Sequence, residues 1–161
     1  MKWNTIYRLA TALVVGWFVA GCKEDAGTLR IFLQASDRLP EGHRKSVFIR
    51  NPPMNLIINP LSELSEHDLV SATAIKTPTR KQLVLQFDPH GQRAIETFTT
   101  ERKGELYVLT INAVPVAAPA IREVIRDGRL VVDLDLSDAE LDKIAKTLDT
   151  AGKKEHALDR F

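Results

Sequence analysis

Four histidines and one cysteine are the side chains of this chain best suited to metal binding or nucleophilic chemistry. The histidines are His43, His67, His90 and His156, and no two lie four residues apart, as the zinc-binding H-E-x-x-H helix requires. A lone cysteine adds too little to complete a zinc site with them. We therefore expect surface or helix-capping roles for the histidines, and no bound metal or other cofactor.

Three aspartates near the C-terminus resemble an acidic metal loop at first sight. Asp133 and Asp135 alternate with apolar residues, so both are expected to point to solvent from a strand, while Asp138 falls in the first turn of a helix. A calcium loop would also need a glycine turn at a fixed offset, which is missing. The serines lie outside a G-x-S-x-G elbow, and no glycine-rich phosphate loop occurs. The sequence predicts a protein that is not an enzyme.

Cys22 is the only cysteine, so it has no disulfide partner within the chain. It follows Val19, Ala20 and Gly21, an aliphatic residue and two small ones, which close the apolar run of residues 9–19. This order resembles the bacterial lipoprotein signal, whose cysteine is alkylated with diacylglycerol before cleavage. We expect residues 1–21 to be a signal peptide and Cys22 to be lipidated. An ordinary signal peptide with an incidental cysteine is the alternative.

Cleavage before Cys22 would leave 140 of the 161 residues. Without Lys2 and Arg8, 20 basic residues face 21 acidic ones, and this near-neutral balance argues against nucleic-acid binding. Membrane attachment then rests on the lipid, at the periplasmic face. Lys23 follows the cysteine at a position where enterobacterial lipoproteins of the inner membrane carry aspartate, so the outer membrane is favoured.

The mature chain is expected to form one domain. Residues 22–28 are short and polar and predict a tether, residues 29–152 a single domain, and residues 153–161 a frayed C-terminal tail. A chain of this length buries enough surface to fold without disulfides. No internal repeat or linker divides it.

Apolar periodicity and capping residues predict the secondary structure. Alternating or β-rich runs predict strands at residues 29–34, 46–50, 54–59, 69–75, 82–87, 106–111, 114–116 and 130–136. Helices are predicted from Asp88 to about Arg102, between Pro119 and Gly128, and from Ser137 to about Gly152, with a single helical turn after Ser65. The predicted fold is α+β, a mainly antiparallel sheet with two to three short helices packed on one face.

Two stretches are candidates for contact with a partner. Ala117, Ala118 and Pro119 present small side chains, which fit either close approach of a partner chain or tight packing of a loop over the sheet. Residues 51–53 interrupt two β-rich runs with two prolines, which predicts two strands or one broken edge strand. Prolines more often protect a sheet edge than offer it for pairing.

The segment from residue 47 to residue 148 resembles the head subdomain of the first periplasmic region of SecD, the SecD/SecDF protein-export subunit. The most specific match is Val116-Ala117-Ala118-Pro119-Ala120-Ile121, followed by Ile125 and Gly128. The stretches Asp68-Leu69-Val70-Ser71-Ala72 and Leu136-Ser137-Asp138-Ala139-Glu140-Leu141 match further family motifs. The chain departs from the family at Arg129, where a second glycine is usual, and at Val132-Asp133-Leu134, which lacks an I-x-G.

The resemblance implies a SecD-head-like fold and contact with unfolded or exported polypeptide. SecD also has a base subdomain and membrane helices that carry proton-driven motion, and this chain has neither, so no translocation motor is implied. The sequence predicts a lipoprotein that binds polypeptide during export or envelope assembly. The alternatives are a structural envelope lipoprotein that uses the fold as a scaffold and, with less support, a small-molecule hydrolase.

Overall fold

The computed structural model describes residues 27–36 and 40–158. The expected signal peptide, Cys22 and most of the expected tether lie outside these residues. Within them, no helix is both long and apolar enough to cross a membrane.

Nine strands and two α-helices make up the described chain. The strands are β1 Leu29–Leu33, β2 Lys45–Ile49, β3 Met54–Ile58, β4 Leu64–Ser65, β5 Leu69–Lys76, β6 Lys81–Phe87, β7 Tyr107–Ile111, β8 Val114–Ala117 and β9 Arg129–Asp133. The helices are α1 Pro89–Glu101 and α2 Asp138–Leu158, and short 3-10 turns occupy Glu41–His43 and Glu66–Asp68.

The strands form three sheets in which every pairing is antiparallel. Their orders are β4-β1-β7-β8, β2-β3 and β5-β6-β9. The α+β class with antiparallel pairing is therefore confirmed, with the strands divided among three sheets. The predicted strands agree with the observed ones to within one to three residues, and residues 51–53 form the turn of the β2–β3 hairpin.

The four-stranded sheet is covered on both faces. Successive side chains of a strand point to opposite faces, so Ile31 and Leu109 enter the main core, while Phe32 and Val108 contact the β2–β3 hairpin. The main core also takes apolar side chains from the three-stranded sheet and both α-helices. Both cores are built from residues between Leu29 and Leu148, so the folded part needs nothing from residues 1–26.

Helix α1 begins where the sequence predicts it. The Asp88 carboxylate accepts a hydrogen bond from the Gly91 N–H at 2.7 Å, and Pro89 occupies the first turn. Ile95 and Phe98 are buried on the helix face toward the core. The single turn after Ser65 is also confirmed, as a 3-10 turn with a capping box.

The helix predicted between Pro119 and Gly128 is wrong. The chain there runs in an irregular path and bonds to the residues that lead into β7. The Tyr107 N–H donates to the Pro119 carbonyl at 3.1 Å, and the Ile121 N–H donates to the Glu105 carbonyl at 2.9 Å. Because these long-range bonds occupy main-chain groups that a helix would use, tertiary pairing overrides the local pattern.

Helix α2 begins as predicted but ends later. Ser137 and Glu140 form the predicted capping box, in which the Ser137 hydroxyl accepts from the Glu140 N–H and the Glu140 carboxylate accepts from the Ser137 N–H. The helix continues through Gly152 to Leu158, so the predicted end at Gly152 and the frayed tail from residue 153 are wrong for residues 153–158.

Gly152 serves contact between α2 and β5 rather than helix termination. A Cβ at Gly152 would lie 2.3 Å from the Leu69 carbonyl oxygen, so only glycine allows α2 to lie this close to β5. One turn earlier, Asp149 accepts a hydrogen bond from the Ala72 N–H. Helix α2 therefore covers the edge of β5 that does not pair with β6.

We expect Gly152→Ala to destabilise the protein, although alanine is favoured over glycine by about 1 kcal/mol inside a helix. The added methyl group would push α2 away from β5, at a cost of about 1–3 kcal/mol in the free energy of unfolding. Denaturant unfolding followed by circular dichroism measures the change. Thr150→Ala, on the exposed side of the same helix, is the matched control and should change stability little. A Gly152→Ala protein at least as stable as the wild type would contradict the close packing.

We also expect the Glu140 carboxyl to titrate below the usual range. The Ser137 hydroxyl donates to it at 2.6 Å and the Ser137 N–H at 3.0 Å, and together they lower the pKa of Glu140. The carboxylate thus stabilises α2 above the usual glutamate pKa, and this contribution is lost as the pH falls through the lowered pKa. NMR titration should show the pKa of Glu140 rising in Ser137→Ala but not in Ser137→Thr, which keeps the hydroxyl. Equal values in all three proteins would contradict the capping box.

Candidate functional site

The free edges of two sheets face the same groove. Strand β8 is the last strand of the four-stranded sheet, and β9 is the last strand of the three-stranded sheet. Residues of β8 and the segment after it line one side, while residues of β9 and its continuation to Leu136 line the other. We call this the inter-sheet groove.

The inter-sheet groove consists of two adjoining cavities. The larger has a volume of about 640 Å³ and lies between Val114 and Leu136; the smaller has about 390 Å³ and lies between Pro119 and Leu130. Asn51 lines both. Together they match the size range of ligand sites of a few hundred cubic ångströms.

The tip of the β2–β3 hairpin lies where the two cavities meet. The Asn51 side-chain amide donates to the carboxylate of Asp135, just beyond β9. This hydrogen bond holds the hairpin tip against the β9 side of the groove. Residues 51–53 are thus a turn that contributes to the groove wall, not an edge strand.

Strand β9 offers unpaired main-chain groups to the groove. The Gly128 carbonyl accepts from the Phe87 N–H and the Leu134 N–H donates to the Lys81 carbonyl, so even-numbered residues of β9 bond to β6. In an antiparallel pair the odd-numbered residues then direct their N–H and C=O groups away. Within the described chain, those groups of Val131 and Asp133 have no hydrogen-bond partner. Val131 is also 44% exposed, an apolar side chain beside an open edge.

Strand β8 is the poorer edge for pairing. Asn112 and Ala113 both have positive φ and form a two-residue turn that pairs Ile111 with Val114. Pro115, one residue on, therefore points away from β7, and its missing N–H falls on the free side. A proline at this position blunts the edge. The groove thus has one open edge, β9, and one protected edge.

The smaller cavity has a buried phenol in its wall. Tyr107 is only 5% exposed, its ring packs at 6.2 Å from that of Phe98, and burial raises the pKa of its hydroxyl. No hydrogen bond to this hydroxyl is formed by any residue the structure describes. A buried hydroxyl without a partner is costly. Its hydrogen-bonding capacity is open to a group that enters the cavity.

Ala117, Ala118 and Pro119 all line the smaller cavity. Ala117 is buried against the main core, Ala118 packs against the second core beneath the hairpin, and the Pro119 carbonyl is held by Tyr107. Tight packing of the segment is therefore present. Its small side chains also leave the cavity its width, so a role as a partner surface stays a prediction.

The charged side chains around the groove are engaged with one another or with amides. Asp133 accepts from the Gln82 side-chain amide at 2.8 Å, and Lys81 lies 2.9 Å from Asp138, which lowers the pKa of Asp138. The larger cavity also contains Arg50 and Arg80, both exposed. This set contains no nucleophile paired with a base.

One group of metal-type ligands occurs among the described residues, away from the groove. Atoms of Asp68, Asp88 and His90 lie within 4.8 Å of one another. Asp68 accepts from Ser65 and contacts the His90 ring, and Asp88 caps α1. The histidine therefore sits beside a cap, as the sequence predicts for its class, and the carboxylates already serve local structure.

Comparison with known proteins gives a fold. No protein-family profile and no curated protein sequence matches the chain. Three solved structures do: SecDF in its super-membrane-facing form (21% identity, TM-score 0.60), SecDF described as a membrane component that enhances protein export (23%, 0.58), and SecDF from Thermus thermophilus, a translocon-associated membrane protein (22%, 0.51).

The similarity covers 78%, 78% and 80% of this chain, but 19%, 63% and 20% of the three matched chains. This chain thus spans about a fifth of the length of two of them and less than two thirds of the other. Identities below 25% establish a shared fold and leave activity open. The described domain has a SecDF-like fold, which confirms at the level of the fold the SecD-head resemblance found in the sequence.

Proposed function

We propose that this protein is a lipid-anchored accessory module of protein export or envelope assembly that binds extended polypeptide. The open main-chain edge of β9 in the wall of the inter-sheet groove carries the proposal. The SecDF-like fold supports it, because one matched SecDF is described as enhancing protein export. The absence of a nucleophile–base pair around the groove favours binding over hydrolysis.

The bound segment would add to β9 as a further strand. Its main chain would pair with the free N–H and C=O groups of Val131 and Asp133, which gives affinity without regard to sequence. Alternate side chains would point into the smaller cavity, between Ala118 and Leu130, which gives selectivity. The Tyr107 hydroxyl would donate to or accept from the entering segment.

The proposed anchor is a lipid on Cys22. The sequence Val19-Ala20-Gly21-Cys22 supports it, and the folded domain begins only a few residues later, at Leu29. Two or more acyl chains hold a protein stably at a membrane. The domain would then face the periplasm, with the outer membrane favoured by Lys23.

We expect Val131→Pro to abolish polypeptide binding while the domain stays folded. Proline removes the N–H that faces the groove, and this N–H takes no part in the β6–β9 ladder. Fluorescence anisotropy with a permanently unfolded, reduced and carboxymethylated protein as probe measures affinity, and we expect it to fall at least tenfold, the equivalent of about 1.4 kcal/mol.

Val131→Thr is the matched control, since it keeps the N–H and the branched side chain, and it should bind like the wild type. Tyr107→Phe is a second test that leaves the edge intact. It removes no hydrogen bond formed within the described chain, so stability should hold or rise, while affinity should fall by about 0.5–1.5 kcal/mol. Absence of binding by the wild type, or equal binding by all variants, would leave the fold as a scaffold without peptide binding.

We expect Cys22→Ser to stop acylation and block maturation. Serine cannot form the thioether to diacylglycerol, so metabolic labelling with a fatty acid should be lost and the unprocessed chain should migrate more slowly on gels. Mass spectrometry of the wild-type N-terminal peptide should find an acylated cysteine. Ala20→Ser, which keeps a small residue before the cysteine, is the control and should still be labelled. Labelling that survives in Cys22→Ser would contradict the anchor.

A further inference from the structure

The described chain starts against α2. A Cβ at Gly27 would lie 2.9 Å from Thr147 Cγ2 and 3.3 Å from Leu148 Cδ2, so the entering chain lies directly on the middle of this helix. Lys143 lines the same small cleft as Gly27. Cys22 is five residues before Gly27 and thus at most about 18 Å away along an extended chain.

Unpaired cations lie on α2 beside this point. Lys143 and Lys146 are exposed, and neither forms an ion pair with any side chain that the structure describes. Lys154 continues the same helix face two turns further and is likewise exposed. These three lysines form what we call the α2 lysine face.

The acidic side chains of α2 whose positions are described have other partners. Asp142 binds Lys76 at 2.6 Å, Asp149 binds Lys153 at 2.6 Å, Asp138 binds Lys81 at 2.9 Å, and Glu140 accepts from Ser137. Three of these four carboxylates are thereby neutralised by lysines outside the face. The remaining balance, three lysines against Glu140, is positive.

We propose that the α2 lysine face binds the anionic phospholipid surface to which the protein is anchored, and so sets the orientation of the domain. The proposal rests on the anchor at Cys22, because the short reach to Gly27 brings this face to the membrane. A lysine close to an anionic surface strengthens association by about fivefold. Charge complementarity and the place where the chain enters the fold both select the same side of the molecule.

This orientation places the inter-sheet groove beside the membrane. Leu136 lines both the cleft at Gly27 and the larger cavity of the groove, so the two are adjacent. Strands β1 and β7 run from this end, at Leu29 and Ile111, to the opposite end at Leu33 and Tyr107. The larger cavity would therefore open near the lipid surface and the smaller one further out, where an exported segment would first be met at the membrane.

The test separates orientation from acylation. Residues 23–161, which contain both cores and no cysteine, carry an N-terminal histidine tag and are held on vesicles by nickel-chelating lipid. A fluorophore on Thr150→Cys reports energy transfer to an acceptor in the lipid headgroups. Vesicles of phosphatidylcholine alone are compared with vesicles that also contain phosphatidylglycerol. Because the tag replaces the lipid, the outcome does not depend on whether Cys22 is acylated in the cell.

We expect more energy transfer on the phosphatidylglycerol vesicles at low salt, and loss of this gain in high salt, where the screening length falls from about 10 Å at 0.1 M to about 3 Å at 1 M. Lys143→Glu with Lys146→Glu should remove most of the gain. Lys45→Glu with Lys103→Glu changes the net charge equally at the opposite end of β1 and β7, and should retain it. Equal transfer on both vesicle types, or equal loss in both double variants, would overturn the proposal.

Discussion

The packing of α2 along β5 is the constraint on which the rest of the described fold depends. Gly152 allows the helix to lie against the Leu69 carbonyl, and Asp149 accepts from the Ala72 N–H, so α2 closes one edge of the three-stranded sheet. The other edge, β9, is left free. Sheet edges are normally protected in soluble proteins, so an edge left open beside a groove, while its counterpart is covered by a 21-residue helix, indicates a functional surface.

Much of this fold follows from the sequence, and the exceptions have a common cause. The strands, the Asp88 cap, the Ser137 capping box and the turn at Asn112 are set by local patterns, and all appear as predicted. The wrong elements depend on distant partners. Residues after Pro119 bond to the chain before β7 instead of forming a helix, and Gly152 marks a close contact with β5 instead of a helix end.

The candidate site shows the same division. The small residues at 117–119 were recognisable as candidates for close approach, and they do line the smaller cavity. Val131 and Tyr107 carry no such signal. Their alternation predicts core strands, and it says nothing about which strand ends a sheet or whether a buried hydroxyl finds a partner. Those properties depend on the order of strands, to which residues far apart in the chain contribute. The similarity to SecDF supports this order as a shared fold, at identities of 21–23%.

Amide hydrogen exchange tests the central claim, the open β9 edge, most directly. The N–H groups of Val131 and Asp133 point away from β6, so in the free protein they should exchange much faster than those of Leu130 and Val132, which lie within the ladder. Addition of a saturating unfolded polypeptide should slow exchange at Val131 and Asp133 and leave α2 unchanged. Fast exchange at both residues with the polypeptide bound would show that binding occurs elsewhere, and would contradict strand addition at β9.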